Sequence, residues 1–148
     1  MGYKRLKMID ADKIFSMFEE PQESGFPGTV YIDFKDHPAY WLGMFEKTIL
    51  NYQNYCIKLL SFFKLATPAL DISEVGEAGE YIVYNRALEH IKDFDITNKS
   101  HLETLEDRAT KRLSDMLQKS IEYFISTEEY EKCAFLKPIQ DQVELFLK

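Results

Sequence analysis

Three histidines and two cysteines are the side chains in this chain most suited to holding a metal ion or acting as a nucleophile. Helical di-metal sites place a glutamate three residues before a histidine, and none of His37, His90 and His101 has one there. Neither Cys56 nor Cys133 belongs to a CxxC redox or zinc motif. We therefore expect no metal ion, no cofactor and two unpaired thiols, as in a protein of a reducing compartment such as the cytoplasm.

A calcium loop is the next candidate for chemistry. Asp93 and Asp95 begin like such a loop, but Asn98 replaces its turn glycine and Thr104 replaces its bidentate glutamate. We interpret this segment as a helix end followed by a loop. The sequence GEAG at 76–79 has the spacing of the GxxG loop that clamps a nucleic-acid backbone, but the surrounding acidic residues would repel phosphate.

Sequence motifs of the common enzyme classes are also missing. The chain has no P-loop, no dinucleotide glycine fingerprint and no nucleophile elbow. These absences favour a non-enzymatic protein. Catalytic residues need not be neighbours in sequence, so an all-α enzyme with a non-local active site stays as an alternative.

Charge argues against a nucleic-acid partner. The net charge is -7. Residues 71–107 hold ten acidic residues against three basic ones, and the rest of the chain is balanced. Phosphate backbones require clustered lysine and arginine, so we expect no direct binding of DNA or RNA. The acidic segment is interpreted as a solvated face, with a docking site for a basic partner as the other reading.

Composition favours packed helices. At 148 residues with 45% hydrophobic content, the chain is long enough for one domain, so we predict a single helical domain over residues 1–148. A short amphipathic helix is predicted near residues 10–20, capped by Asp10. An extended strap follows at 20–37, with a possible short strand near 29–35.

The longest predicted helix runs from Pro38 to Leu65. Apolar residues recur along it in steps of three and four, which predicts a buried seam: Leu42, Phe45, Ile49, Tyr52, Cys56, Leu59 and Phe63. Leu59 is expected to be in the core. Further apolar residues off the seam, such as Trp41 and Phe62, require more than one face to be covered. Interrupting lysines and polar residues argue against a membrane span.

Capping boxes predict where the remaining helices begin. The pairs Asp71–Glu74, Ser100–Glu103 and Ser126–Glu129 each have the required spacing. They predict one helix reaching about residue 94, a second over residues 100–124 and a closing helix after residue 129. The predicted fold is all-α: an antiparallel bundle of four main helices with the short N-terminal helix and the strap.

The last two helices form a predicted hairpin at residues 113–143, and its second arm contains EYEKCAFLK. This segment resembles the UVR motif, a helix-turn-helix interaction element of bacterial nucleotide excision repair subunits and some regulators. The matching residues are Glu129, Tyr130, Glu131, Lys132, Ala134, Leu136 and Lys137. Pro138 departs from the motif and predicts a kink in the second arm. The resemblance implies a protein-binding surface.

These patterns lead to one functional hypothesis with two alternatives. The chain is expected to be a non-enzymatic adaptor or regulatory protein that binds another protein through a helical surface, with Glu131, Lys132 and Lys137 contributing to partner choice. A TPR-like helical scaffold is an alternative, because NRALEHI and YEKCAFL resemble parts of such repeats, although their spacing exceeds the period of about 34 residues. The all-α enzyme is the other. A broad apolar groove would favour the adaptor, whereas a deep pocket of converging polar groups would favour the enzyme.

Overall fold

Helices account for most of the chain in the computed structural model, which describes residues 33–69 and 71–148. Following a 3-10 turn at Phe34–Asp36, the α-helices are α1 (Pro38–Asn51), α2 (Ile57–Ala66), α3 (Ser73–Ile91), α4 (Lys99–Arg108), α5 (Lys111–Ser126) and α6 (Tyr130–Phe146). Tyr52–Cys56 is a π-helical segment that joins α1 to α2. The described ranges contain no β-strand, so the all-α prediction is confirmed.

Predictions for the start of the chain fall mostly outside these ranges. The helix expected near residues 10–20 and the strap up to residue 32 lie outside the described residues. The described end of the expected strand is not extended, because Phe34–Asp36 turns and the Asp33 carboxylate accepts a hydrogen bond from the Lys35 amide at 3.0 Å. The described residues belong to one compact unit, Asp33–Lys148.

The long first helix forms as its sequence predicts. Pro38 occupies the first turn, where its missing N–H costs nothing, and the His37 ring nitrogen Nδ1 accepts a hydrogen bond from the Ala39 amide at 3.1 Å. Helical structure then continues without interruption to Ala66. His37 is thus a helix cap, which accounts for the first of the three histidines.

The predicted core seam is correct only for its first half. Leu42, Phe45, Ile49 and Tyr52 are buried, but Cys56, Leu59 and Phe63 are exposed. The cause is the π-helical segment, in which the Ile57 amide donates to the Tyr52 carbonyl five residues back. One such turn adds a residue to the helical register, so every later position is rotated by about 100°. The prediction that Leu59 is a core residue is wrong.

The starts of α3 and α4 differ from the predicted capping boxes. Asp71 does not cap α3; its carboxylate accepts hydrogen bonds from the amide and hydroxyl of Ser73 in the turn before the helix. Asn98, rather than Ser100, caps α4 by accepting from the Ser100 amide at 3.0 Å. Asp95 similarly accepts from the Thr97 amide, so the calcium-like segment is a helix end and loop, as interpreted from the sequence.

The helix predicted over residues 100–124 is broken in two. Ala109 is extended, with ψ at 116°, and Thr110 starts a new helix by accepting a hydrogen bond from the Leu113 amide at 3.1 Å. The apolar pattern continues through this break because α4 and α5 both bury their inner residues, so periodicity gave no sign of it. The structure therefore has one more helix in this region than predicted.

α5 and α6 form the predicted hairpin. Glu128 has a φ of 60°, and the Glu129 amide donates to the Phe124 carbonyl at 2.8 Å while the Glu128 amide donates to the Ile125 carbonyl at 3.1 Å. These two bonds are a Schellman motif that ends α5. Ser126 lies inside α5, and the first residue before α6, Glu129, makes no side-chain cap, so the predicted Ser126–Glu129 capping box is wrong. Helix α6 continues through Pro138 to Phe146.

The helices of the described residues contact each other mainly in two pairs, α1 with α3 and α5 with α6. Helix α1 packs against α3 and α4, and α5 packs against α6. The fully buried apolar residues include Leu42, Phe45, Ile49, Ala87, Ile91, Leu105, Leu113, Leu117, Phe124, Leu136 and Val143. None of the helices in the described residues is long and apolar enough to cross a membrane.

A buried carboxylate ties α1 to the helices across the core. Glu46 is 8% exposed and lies 3.4 Å from an Arg108 guanidinium nitrogen and 3.6 Å from Nε of Arg112. Both arginine side chains reach solvent, so the charge of Glu46 is neutralised without burying a second ion. This contact joins the middle of α1 to the end of α4 and the start of α5.

Candidate functional site

Together α1, the π-helical segment and α2 form one continuous helix, Pro38–Ala66, which we call the first helical rod. A groove of about 670 Å³ runs between this rod and α3. We call it the α1–α3 groove and define it by its lining residues: Met44, Lys47, Thr48, Asn51, Tyr52, Tyr55, Cys56, Leu59, Leu60, Val75, Gly79, Ile82, Val83, Arg86 and His90. This volume is in the range of ligand-binding clefts. It extends from α1 through the π-helical segment into α2.

Tyr52 sets the separation of the two groove walls. It is 8% exposed, and its hydroxyl donates a hydrogen bond to the Gly76 carbonyl of α3 at 3.3 Å. Burial, followed by the nearby Glu80 carboxylate, raises the pKa of the Tyr52 hydroxyl, which keeps it protonated as a donor. The side chain thus bridges α3 from the residue where the π-helical segment begins.

Glycines on α3 allow this close approach. A Cβ atom at Gly79 would lie 3.2 Å from the Tyr52 ring, tighter than ordinary contact, whereas one at Gly76 would lie 3.9 Å from the Leu60 side chain. The GEAG sequence therefore has a packing role at Gly79. The same contacts show that α2 approaches the start of α3 through Leu60. Because the π-helical segment shifts the register by one residue, Leu60 has the orientation that was expected for Leu59.

Apolar exposure is concentrated on the groove and beside it. Leu59 is 55% exposed and Ile82 is 61% exposed, one on each wall. Outside the lining, α2 also exposes Phe62, Phe63 and Leu65. α2 contributes no fully buried residue. An apolar surface that runs along a cleft and continues past it marks a binding site more often than a solvated face.

Charge is unevenly placed in this groove. Among the described residues that line it, the charged ones are Lys47 and Arg86, and none is an aspartate or glutamate. His90, one helical turn beyond Arg86, has a buried Nε2 atom with no hydrogen-bond partner in the described residues. Burial, followed by the neighbouring Arg86 guanidinium, lowers the pKa of His90, so its ring is neutral near pH 7.

The described lining residues of the groove do not form a recognisable nucleophile–base pair. A nucleophile needs a base within hydrogen-bonding reach, and the exposed thiol of Cys56 has no carboxylate beside it in the lining. Within residues 33–69 and 71–148, no group of three or more His, Cys, Asp or Glu could hold a metal ion. The chemistry available is burial of an apolar ligand surface together with ion pairing at one end.

The three site residues predicted on the hairpin have different surroundings. Glu131 is exposed, and Lys137 pairs with Asp141 at 3.0 Å on the surface of α6. Lys132 is only 30% exposed; it pairs with Glu129, donates to the Asn85 side chain of α3 and lies 5.0 Å from the centre of the Phe124 ring. Lys132 is therefore an interhelical contact rather than an outward charge.

Glu131 and Lys132 do come together at a small cleft. It measures about 200 Å³ and is lined by Leu88, Lys92, Glu131, Lys132 and Phe135, between α3 and α6. Lys137 is not part of it. Of the residues that match the motif, Tyr130 is 61% exposed and Ala134 is exposed as well, whereas Leu136 is buried in the core.

Sequence reasoning missed the α1–α3 groove, although one signal pointed to it. The first helix carries more apolar residues than a single seam can bury, and the surplus residues Phe62 and Leu65 lie on the exposed side, together with Leu59 of the predicted seam. Comparison of the chain with family models, with curated proteins and with solved structures found no match.

Proposed function

We propose that this chain is a non-enzymatic adaptor or regulatory protein that binds an amphipathic helix of another protein in the α1–α3 groove. The observation that carries the proposal is the apolar groove itself, which is open along α1 and α3 and has no carboxylate among its described lining residues. A partner helix that lays its apolar face into such a groove is a recurrent mode of recognition. In this role the chain supplies a surface and no chemistry.

The dimensions of the groove suit a helix. Along the first helical rod the lining extends from Met44 to Leu60, which at 1.5 Å per residue is about 24 Å. On α3 it extends from Val75 to His90, a nearly equal length. A partner helix of about 16 residues would span it and place apolar side chains in it at four successive turns.

The width of the apolar surface favours a helix over a small molecule. Tyr55 and Leu59 face the groove, while Phe62 and Leu65 lie beyond it and are more than half exposed. A single extended hydrocarbon chain filling the groove would leave these two side chains in water. A helix about 10 Å across can cover both the groove and its border, which buries more apolar area.

Site-specific photocrosslinking in the native cell tests this proposal. A photoreactive phenylalanine replaces Leu59 in the groove or, as the matched control, Leu145, which is exposed to a similar degree on α6. We expect a covalent adduct with another protein from position 59 and none from position 145. The adduct should disappear when Ile82→Glu places a charge on the opposite wall.

Two results would contradict the proposal. One is a position 59 variant that is folded and produces no adduct. The other is an adduct that persists in Ile82→Glu, since that contact would not use the groove. Ile82 is 61% exposed, so Ile82→Glu should unfold at the same denaturant concentration as the parent protein, and this can be checked directly.

A further inference from the structure

The electrostatics of the α1–α3 groove specify the partner further. Resting on the proposed function, we infer that the bound helix is acidic at one end, and that this end lies beside Lys47 and Arg86. The inference is carried by the position of these two cations, by the absence of carboxylates from the lining and by the unpaired His90 nitrogen.

The helix register places the cations at the same end of the groove. Tyr52 contacts Gly79 and Leu60 contacts Gly76, so the first helical rod and α3 run antiparallel. Going back from Tyr52 along α1 therefore corresponds to going forward from Gly79 along α3. Lys47 precedes Tyr52 by about one and a half turns of α1, and Arg86 follows Gly79 by about two turns of α3. The two cations therefore lie on opposite walls at the same end of the groove.

Within the described residues, no carboxylate pairs with the cations at this end, Lys47 and Arg86. The nearest acid along α3, Glu89, pairs with Lys92 at 3.1 Å. Two unpaired cations at the edge of an apolar groove attract carboxylates and repel lysine, which selects among helices of equal hydrophobicity.

His90 provides a separate reason to expect an acceptor at this end. Its Nε2 atom is buried and has no hydrogen-bond partner among residues 33–69 and 71–148, and buried polar atoms in folded proteins are nearly always paired. Because this nitrogen is buried, the ring must move toward the groove before a carboxylate held by Lys47 and Arg86 accepts a hydrogen bond from it. Three donors would then converge on one group of the partner.

The opposite end of the groove is different. Its lining there is Leu59, Leu60 and Val75, with no charged residue. Lys58 and Lys64 are exposed on α2 but are not in the lining. The groove is thus apolar at the α2 end and cationic at the α1 end, so a partner helix with acids at one end only should bind in one orientation.

Fluorescence anisotropy with designed helical peptides tests the inference on the full chain. Four peptides of about 16 residues share one leucine stripe. They carry two glutamates at the N-terminal end, two glutamates at the C-terminal end, two glutamines in the same positions, or two lysines. We expect one acidic peptide to bind about five- to tenfold more tightly than the glutamine peptide at low salt, and the lysine peptide to bind most weakly. The advantage should shrink as salt increases.

Two charge-reversal variants locate the contact. Lys47→Glu with Arg86→Glu should abolish the preference for the acidic peptide, whereas Lys58→Glu with Lys64→Glu changes net charge equally and should keep most of it. All four side chains are exposed or at the groove rim, so both variants are expected to fold, and thermal melting checks this.

Each failure has a distinct meaning. Equal affinity for all peptides, or loss of the preference only in the Lys58 and Lys64 variant, overturns the inference and leaves the proposed function standing. Binding of no peptide at all, or self-association through the groove in sedimentation experiments, overturns both.

Discussion

Tyr52 and Gly79 approach so closely that a single methyl group on the glycine would come within 3.2 Å of the tyrosine ring. A methyl group on Gly76, one turn earlier on the same helix, would have its nearest neighbour at 3.9 Å, an ordinary contact distance. Replacing helical glycine with alanine normally stabilises a helix by about 0.5–1 kcal/mol. We expect this gain from Gly76→Ala, although its position near the helix start will reduce it.

Gly79→Ala should lack that gain, because the added methyl group must displace the buried Tyr52 ring. Urea denaturation of the two variants measures the difference. If both were stabilised equally, Tyr52 would have room to move and would not fix the spacing of the groove walls.

The corrected core makes a paired prediction on one helical rod. Leu42 is completely buried, and Leu59 is 55% exposed. Leu42→Ala should cost about 2–5 kcal/mol of unfolding free energy, whereas Leu59→Ala should change it by no more than about 0.5 kcal/mol. Equal losses in chemical denaturation would mean that Leu59 is covered in solution and that the register shift at the π-helical segment does not expose it.

Much of the fold could be predicted from the sequence, because it depends on patterns that persist over many residues. The helix from Pro38 and the hairpin are visible as apolar periodicity bounded by turn residues. The π-helical segment at Tyr52–Cys56 was not predictable in this way. It depends on a single extra residue in one turn, and any stretch of apolar helix can be read in either register.

The candidate site was harder to predict than the fold. The groove requires residues from two helices to be set at a certain spacing, and that spacing depends on the Tyr52–Gly79 contact. Lys132 shows the opposite error. The sequence pattern around Lys132 is typical of an exposed helix face and predicts a role in partner recognition. Its contact with Asn85 instead joins α6 to α3. Local sequence carries no information about either pairing.

Backbone conformation at the hairpin turn gives a prediction with a close control. Glu128 has a φ of 60°, in the left-handed region where a Cβ atom is unfavourable and glycine is not. Glu128→Gly should stabilise the protein by about 0.5–1 kcal/mol, since the usual entropic cost of glycine is smaller than the strain it removes. Glu128→Ala removes the same carboxylate and keeps the Cβ atom, so it should bring no gain. Equal melting temperatures for the two variants would contradict this account of the turn.

His90 should make stability depend on pH in a known direction. Burial and Arg86 lower its pKa below 6.5, so the unfolded chain takes up this proton more readily than the folded one. Stability should therefore fall as pH decreases from about 7.5 to 5. In His90→Gln this part of the decrease should disappear. The lowered pKa values of Asp71, Asp95 and Glu129 act below this range. Parallel pH profiles for the two proteins would show that the ring is solvated.

Two neighbouring hairpin charges should have different effects. Lys132 contacts Glu129, Asn85 and the Phe124 ring, so Lys132→Ala should cost about 1 kcal/mol. Glu131 is exposed, and Glu131→Ala should change stability by less than about 0.5 kcal/mol. Equal thermal shifts would show that the contacts of Lys132 contribute little.

The exposed charges Glu131 and Lys137 test whether the hairpin is a second contact surface. Glu131→Lys combined with Lys137→Glu alters the exposed charges of α6 without touching Lys132. If the hairpin recognises a partner by charge, the photocrosslinked adduct at position 59 should form more slowly in this variant, because rim charges act mainly on association rate. An unchanged rate would assign recognition to the groove alone.

The five-residue turn at Tyr52–Cys56 also has a genetic consequence. An ordinary α-helical turn contains one residue fewer, so the exposed apolar face of α2 differs from a buried one by a single codon. Deletion of that codon would rotate Leu59 and Phe63 back into line with Leu42 and Phe45 and turn the border of the groove toward α3. In this helix, gain or loss of an interaction surface does not require any change in its apolar composition.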